Sequence, residues 1–226
     1  MKIKHYILTA AACLTLGIGS IKAQATLTMD DFYIMPGETR TVSINMNNTV
    51  PIRALQVLVD LPDNVKLVAR PMVNAKRRGT VTDEFGTKTD AVKSLSYKVR
   101  ENGDCMIVVN ASDAVPFTGT EGAVITLTLQ ADEKSADRSE EICLKDMELV
   151  YADGITYVRP DDRICKVDVC SDVTDITTLM RELEGEVDVY SLSGMKVKGN
   201  VSVAELRKAL PHGVYIIEGI KVYVGK

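Results

Sequence analysis

The sequence predicts a mainly β protein: a β-sandwich followed by a small β-rich C-terminal unit with one short helix. Three observations carry this. From Thr26 to Val169 apolar residues recur with period two, turn residues interrupt them at short intervals, and no stretch of that span holds a helical period. Many short strands separated by turns pack as a sandwich or barrel. The last forty residues follow a different pattern, with a helix-start signal between two strand-like runs.

The elements follow in order. Phe32 and Ile34 lead into the turn pair Pro36-Gly37. Val42, Ile44 and Met46 then alternate with Thr41, Ser43 and Asn45. Leu55, Val57, Val59 and Leu61 alternate with Gln56, Leu58 and Asp60 until Pro62 ends the strand. Leu95, Tyr97 and Val99 precede Asn102-Gly103, the strongest short-range hairpin signal. That phase places Tyr97 in the core. Ile125, Leu127 and Leu129 alternate with Thr126, Thr128 and Gln130, and runs at 142–151, 155–158 and 164–169 continue the pattern around an Asp153-Gly154 turn. Residues 131–141 are a charged run and read as a solvated loop.

These strands define a sandwich over 24–170. Residues 171–185 are polar and Thr-rich at first, lack alternation, and read as a linker; residues 186–226 form the C-terminal unit. There Val187 and Val189 make a strand and Ser193-Gly194 a turn. Ser202-Val203-Ala204-Glu205 is a capping box with Val201 and Leu206 as a staple, which predicts a helical turn over 203–210. Val214–Ile217 and Ile220–Val224 read as a hairpin around Gly219.

Residues 1–23 read as a secretory signal peptide. Lys2, Lys4 and His5 precede an apolar run from Tyr6 to Gly19, and Ile21-Lys22-Ala23 leads to a cut at Gln24. That run is too short to span a bilayer comfortably. A rival reading makes Cys13 a lipid-attachment site. The apolar run continuing through Leu14, Leu16 and Ile18 argues against it, as does the absence of a large aliphatic residue three positions earlier. The expected location is periplasmic, outer-surface or extracellular. Cleavage removes three of the 27 basic residues and none of the 31 acidic ones, giving a net charge of −7. That balance argues against a nucleic-acid partner, and no other segment is apolar enough to cross a membrane.

The chemistry-bearing residues are sparse. Cys105, Cys143, Cys165 and Cys170 remain after cleavage. They stand either as disulfides, permitted in an oxidising compartment, or as buried thiols packed like small hydrophobes. A Cys165–Cys170 bridge is disfavoured, because in an extended stretch they are roughly 16 Å apart and a disulfide needs Cα atoms closer than about 7 Å. His212 is the one mature histidine and sits in a turn, which gives no triad. The acidic pairs Asp30-Asp31, Asp83-Glu84, Glu140-Glu141 and Asp161-Asp162 lie beside turns, where carboxylates are solvated. No catalytic residue, metal site or cofactor is expected.

Binding has better support. With a two-residue turn at Asn102-Gly103, Ile107 and Val109 face outward beside Lys98 and Arg100; with a three-residue loop they turn inward, and Met106 and Val108 come out. Either way strand 105–109 is apolar on both faces, and its outer face must be covered or offered to a partner. The expected binding strip takes Ile107 as its apolar member, edged by Gln56, Asp60, Lys98 and Arg100. Tyr151 and Tyr157, flanking the Asp153-Gly154 turn, are the candidates for stacking on a sugar ring.

The segments 31–48 (DFYIMPGETRTVSINMNN), 54–67 (ALQVLVDLPDNVKL) and 116–131 (PFTGTEGAVITLTLQA) resemble the cohesin-like β-sandwiches in secreted proteins of Bacteroides-type bacteria. The resemblance covers roughly the sandwich and implies a nine-stranded sandwich of jelly-roll or immunoglobulin-like type. Cohesins bind a partner module, dockerin, through one sheet face, so it also implies non-covalent recognition rather than catalysis. Val189-Tyr190, Gly194, Val197, Leu206, Leu210, Gly213-Val214-Tyr215, Gly219 and Lys221 resemble the C-terminal sorting domain of the type IX secretion system. That implies passage across the outer membrane through this machinery; the short final hairpin departs from the pattern. The expected function is a secreted or cell-surface binding or scaffold protein, its partner a protein module or a glycan. A carbohydrate-binding module and a hydrolase using loop carboxylates are the alternatives.

Overall fold

The computed structural model describes residues 24–171 and 173–225, so the expected signal peptide at 1–23 lies outside the described residues. Strands β1 (Ala25–Met29) and β2 (Phe32–Ile34) precede β3 (Thr39–Asn48). The turn before β3 is closed by the Glu38 N–H donating to the Met35 carbonyl (2.9 Å), with Gly37 at φ +76°. Pro36 presets the first central torsion, and a residue without Cβ takes the second at no steric cost. Strand β4 (Ile52–Asp60) ends at Leu61-Pro62, and the short β5 (Val65–Leu67) and β6 (Met72–Val73) follow. A 3-10 turn at Ala75–Arg77 opens an arm made of β7 (Thr80–Thr82) and β8 (Lys88–Asp90). Then come β9 (Lys93–Val99), β10 (Cys105–Ala111), β11 (Glu121–Ala131), β12 (Arg138–Tyr151), β13 (Tyr157–Val158) and β14 (Arg163–Val169).

Apart from β7 and β8, which pair with each other, these strands form two facing sheets. One has the order β1-β3-β11-β5, with β6 also on β11; the other runs β2-β14-β12-β4-β10-β9, with β13 on β12. The pairs are antiparallel except β2 with β14. Between the sheets, Ile44, Leu55, Ile107, Leu127, Leu144 and their neighbours are fully buried. Each such side chain contributes about 1.5–3 kcal/mol of transfer free energy. Tyr97 departs from its expected core position. It has the inward phase, but β9 is the last strand of its sheet, and the ring stays 43% exposed for want of a further neighbour.

The C-terminal unit comprises β15 (Val173–Asp175), α1 (Ile176–Glu182), β16 (Glu186–Tyr190), β17 (Lys196–Ser202), α2 (Leu206–Ala209), β18 (Gly213–Ile217) and β19 (Ile220–Val224). Its sheet order is β15-β19-β18-β16-β17. Residues read as a linker therefore supply a strand and a helix. Val173 pairs in parallel with Lys221, and Ile176 and Leu179, three apart on one helical face, are fully buried. The expected capping box does not close: Ser202 makes no side-chain cap bond, and Val203 N–H donates to the Gly185 carbonyl instead (3.0 Å). The expected staple residues Val201 and Leu206 are both buried in the unit's own core. The final hairpin turns tightly, with Glu218 and Gly219 both at positive φ.

This unit is docked on the β2/β14 side of the sandwich. Buried Asp168 accepts hydrogen bonds from Ser139 Oγ and from the Val214 N–H (2.8 Å). Lys221 pairs with Asp137 and donates to the Ser171 carbonyl (3.1 Å), and Tyr33 meets Tyr223 with centroids 4.5 Å apart. Gly213, at φ +148°, lets the chain enter β18 beside Asp168.

Candidate functional site: the outer face of the seven-stranded sheet

The loop between β9 and β10 decides what this face presents. Arg100 N–H donates to the Asp104 carbonyl (2.8 Å) and Gly103 N–H to the Arg100 carbonyl (3.0 Å), with Gly103 at φ +88°. This is a three-residue loop with a glycine bulge, and it pairs Cys105 with Val99 and Ile107 with Tyr97. Ile107 consequently has no exposed surface, which removes it from the expected binding strip. Met106 and Val108, one position to either side, take the outer face and are half-buried.

Register builds the face row by row. Lys98, Met106, Leu58 and Lys145 share one row across β9, β10, β4 and β12. Ser96, Val108, Gln56 and Glu148 share the next. Beyond them Ala54 pairs with Val150, and Val150 with Tyr157. On the other side Asp60 pairs with Cys143, and Cys143 with Ile164. The result is an apolar strip of half-buried Met106 and Val108, floored by buried Leu58, between polar and charged side chains. Lys145 and Glu148 are members that sequence reasoning missed. The ladder shifts register between them, and Asp146 within it takes positive φ, so simple alternation along β12 loses phase there.

The charges on the rim are held in pairs. Lys145 bonds Asp60; this bond is the main cause holding the Asp60 carboxyl below its usual range, against the opposing effect of burial. The same bond raises the Lys145 ammonium. Asn102 Nδ2 donates to Asp104 Oδ2 (2.8 Å) beside them. Arg159 Nη2 and Nε both donate to Glu148 Oε2 (2.8 and 3.0 Å), and its guanidinium lies over the Tyr157 ring, 5.0 Å from the centroid. Exposed pairs of this kind add little to stability, because solvent and salt screen them. Their consequence is to fix where charge sits around the strip.

Gln56, Asp60 and Lys98 lie on this face as the sequence suggests, and Arg100 stands at the loop beside it. The two tyrosines do not form a stacking platform. Tyr151 packs against the sandwich core with its hydroxyl donating to Gln24 Oε1 (2.6 Å), whereas Tyr157 lies on the outer face. Asp153 is occupied within its own turn, accepting from Ile155 N–H, Thr156 N–H and Thr156 Oγ1. Asp83 likewise accepts from Phe85 and Thr87 N–H, and Asp31 from Lys166 N–H. Among the described residues no group of three or more His, Cys, Asp or Glu is arranged to hold a metal ion. His212 sits in the turn between α2 and β18, on the C-terminal unit.

The four cysteines among the described residues are free thiols. Burial pushes Cys105 up to about 11 and Cys165 and Cys170 up to about 12, well away from thiolate reactivity. Of the residues that resemble a sorting motif, Gly194 and Gly219 turn the chain at positive φ. Tyr215 is buried, its hydroxyl donating to the Pro211 carbonyl (3.1 Å). Gly213 and Lys221 sit at the junction with the sandwich.

No family model and no curated protein matches the sequence. The fold, by contrast, is shared with solved cohesin modules. A type I cohesin of Clostridium thermocellum, solved in complex with a dockerin, superposes with a TM-score of 0.52 at 12% identity, covering 65% of this chain and 99% of that one. A non-cellulosomal cohesin from the archaeon Archaeoglobus fulgidus gives 0.50 at 12% identity, covering 66% and 93%. The CaCohA2 module of Clostridium acetobutylicum gives 0.50 at 12% identity, covering 66% and 94%. At this identity the likeness is one of fold: the sandwich is cohesin-like.

Proposed function

We propose that the protein is an exported, non-catalytic binding module that recognises a protein partner on the outer face of its seven-stranded sheet. The observation that carries this reading is the apolar strip of half-buried Met106 and Val108, lying over buried Leu58 between charges already paired in place. A partner covering the strip gains affinity from desolvated apolar area, and the Lys145–Asp60 and Arg159–Glu148 pairs set which partner fits. The dockerin held by the Clostridium thermocellum cohesin shows a protein module bound by a protein of this fold. In the same reading residues 1–23 direct export to the periplasm, the outer surface or the medium. The C-terminal unit, through Gly194, Gly213, Tyr215, Gly219 and Lys221, is the address read by secretion machinery.

The test uses the mature chain, residues 24–226, with a photo-crosslinker at Gln56 and the secreted proteins of the source organism. One saturable protein adduct is expected, weakened at least tenfold, about 1.4 kcal/mol, by Met106→Glu with Val108→Glu. Saturable glycan binding with no protein ligand would overturn the proposal.

A further inference from the structure

The free end of the seven-stranded sheet is the second surface of interest. We infer that it binds an extended acidic peptide, taken up as an added strand along β9. This site is separate from the outer face described above, and it rests on three observations.

The first is the open ladder. Arg100 and Asp104 form a hydrogen-bonded pair, and such pairs alternate along an antiparallel ladder. The backbone groups of Lys98 and Ser96 therefore point into the sheet, and those of Val99, Tyr97 and Leu95 point away from it. Arg70 confirms the phase, because its Nη2 donates to the Leu95 carbonyl from the open side (3.1 Å). Beyond that strap no backbone partner meets Tyr97 or Val99 among the described residues. The two residues are 43% and 46% exposed.

The second is charge. Residues 64–82 carry five cations and no carboxylate, and residues 91–100 carry three cations and none, in a chain that is acidic as a whole. The fold brings these segments together around a groove of about 640 Å³ beside β9, lined by Arg70, Arg78 and Lys93 over Pro71, Val73 and Leu95, with no acidic residue in its wall. Lys93 is already committed, donating to the Val115 carbonyl over the Phe117 ring. Arg78 Nε is buried without a partner among the described residues, and Arg70 uses one nitrogen on Leu95, leaving the rest of its fork open. The third observation is the opposite end of the same sheet, where the chain's own tail is received by carboxylates: Asp168 takes the Val214 N–H and Asp137 takes Lys221. The β9 end has no such cover among the described residues, and the groove beside it is lined by cations in place of carboxylates.

An added strand satisfies the N–H and C=O groups of Tyr97 and Val99, and its acidic side chains reach Arg70 and Arg78. A second copy of this chain does not fit, because its residues 91–100 carry three cations and no carboxylate and so bring no acidic side chain to Arg70 and Arg78. A nucleic acid or sulfated glycan would meet the cations and leave the strand edge unpaired.

The probe is a fluorescein-labelled alternating Val-Glu octapeptide, read by anisotropy against the mature chain at low salt. Saturable binding is expected, with amide shifts at Tyr97 and Val99. It should weaken at least tenfold in Arg70→Glu with Arg78→Glu, at high salt, and when every peptide nitrogen is methylated; the last condition needs no variant of the protein. Met106→Glu should leave it unchanged. Failure to saturate, indifference to N-methylation, loss in Met106→Glu, or binding of heparin or an oligothymidine in place of the peptide would each overturn the inference. The last two results leave the outer-face proposal standing.

Discussion

The two ends of the seven-stranded sheet meet the same problem in opposite ways. An edge strand exposes unpaired backbone groups and the apolar side chains of its inward phase. At the β2 end the C-terminal unit packs against the edge, and Asp168 and Asp137 hold it by Val214 and Lys221. At the β9 end Tyr97 and Val99 stay exposed, and Arg70 bridges the gap at Leu95. Both edges belong to one core and one hydrophobic pattern. What separates them is whether a covering segment of matching charge arrives from elsewhere in the chain.

The comparison can be broken at three levels. Replacing Ile107 with Ala removes a fully buried side chain from the core that both ends share, and should cost about 2–5 kcal/mol. Urea unfolding should show the whole sandwich weakened; a loss confined to the β9 end would mean the two ends do not share a cooperative core. Asp168→Ala strips the acceptor from Ser139 Oγ and the Val214 N–H, an expected loss of about 2–3 kcal/mol in docking. Limited proteolysis should release the C-terminal unit while the sandwich survives, and an unchanged digestion pattern would show that the contact does not hold it. The smallest effect is one of pH. Burial opposes the charged form of Asp137, but the Lys221 bond and the Ser171 N–H outweigh it and leave its carboxyl below the usual range. A depressed carboxyl contributes its stability above the unfolded value of about 3.9 and loses it as pH falls through the folded one. Amide exchange at Val214 and Val222 should therefore quicken below about pH 4 in the parent and lose that dependence in Asp137→Asn.

Much of the sandwich was legible because a strand with one face buried repeats every two residues. Ile44, Leu55, Leu127 and Ile142 declare their phase locally, and the structure buries each of them. The outer-face strip was half legible. Asn102-Gly103 announced a hairpin, but two loop lengths fit the same letters, and they exchange Ile107 with Met106 across the sheet. The glycine bulge at 103 chose between them. Tyr97 shows the complementary failure: its phase was correct, and its exposure followed from the absence of a neighbouring strand. Helix α1 left little local trace because so short a helix is stabilised by packing rather than propensity. Its signal was only Ile176 and Leu179 in a polar run.

By itself the sequence determined a β-sandwich with an appended unit, an acidic chain and a scarcity of reactive groups, since alternation, turn chemistry and composition act over a few residues each. Only the tertiary structure decided which apolar residues of β10 face outward, which edge the tail covers, and where Arg70 and Arg78 converge. Those outcomes depend on pairings between segments tens of residues apart, and no local pattern encodes which distant strand, if any, will arrive alongside.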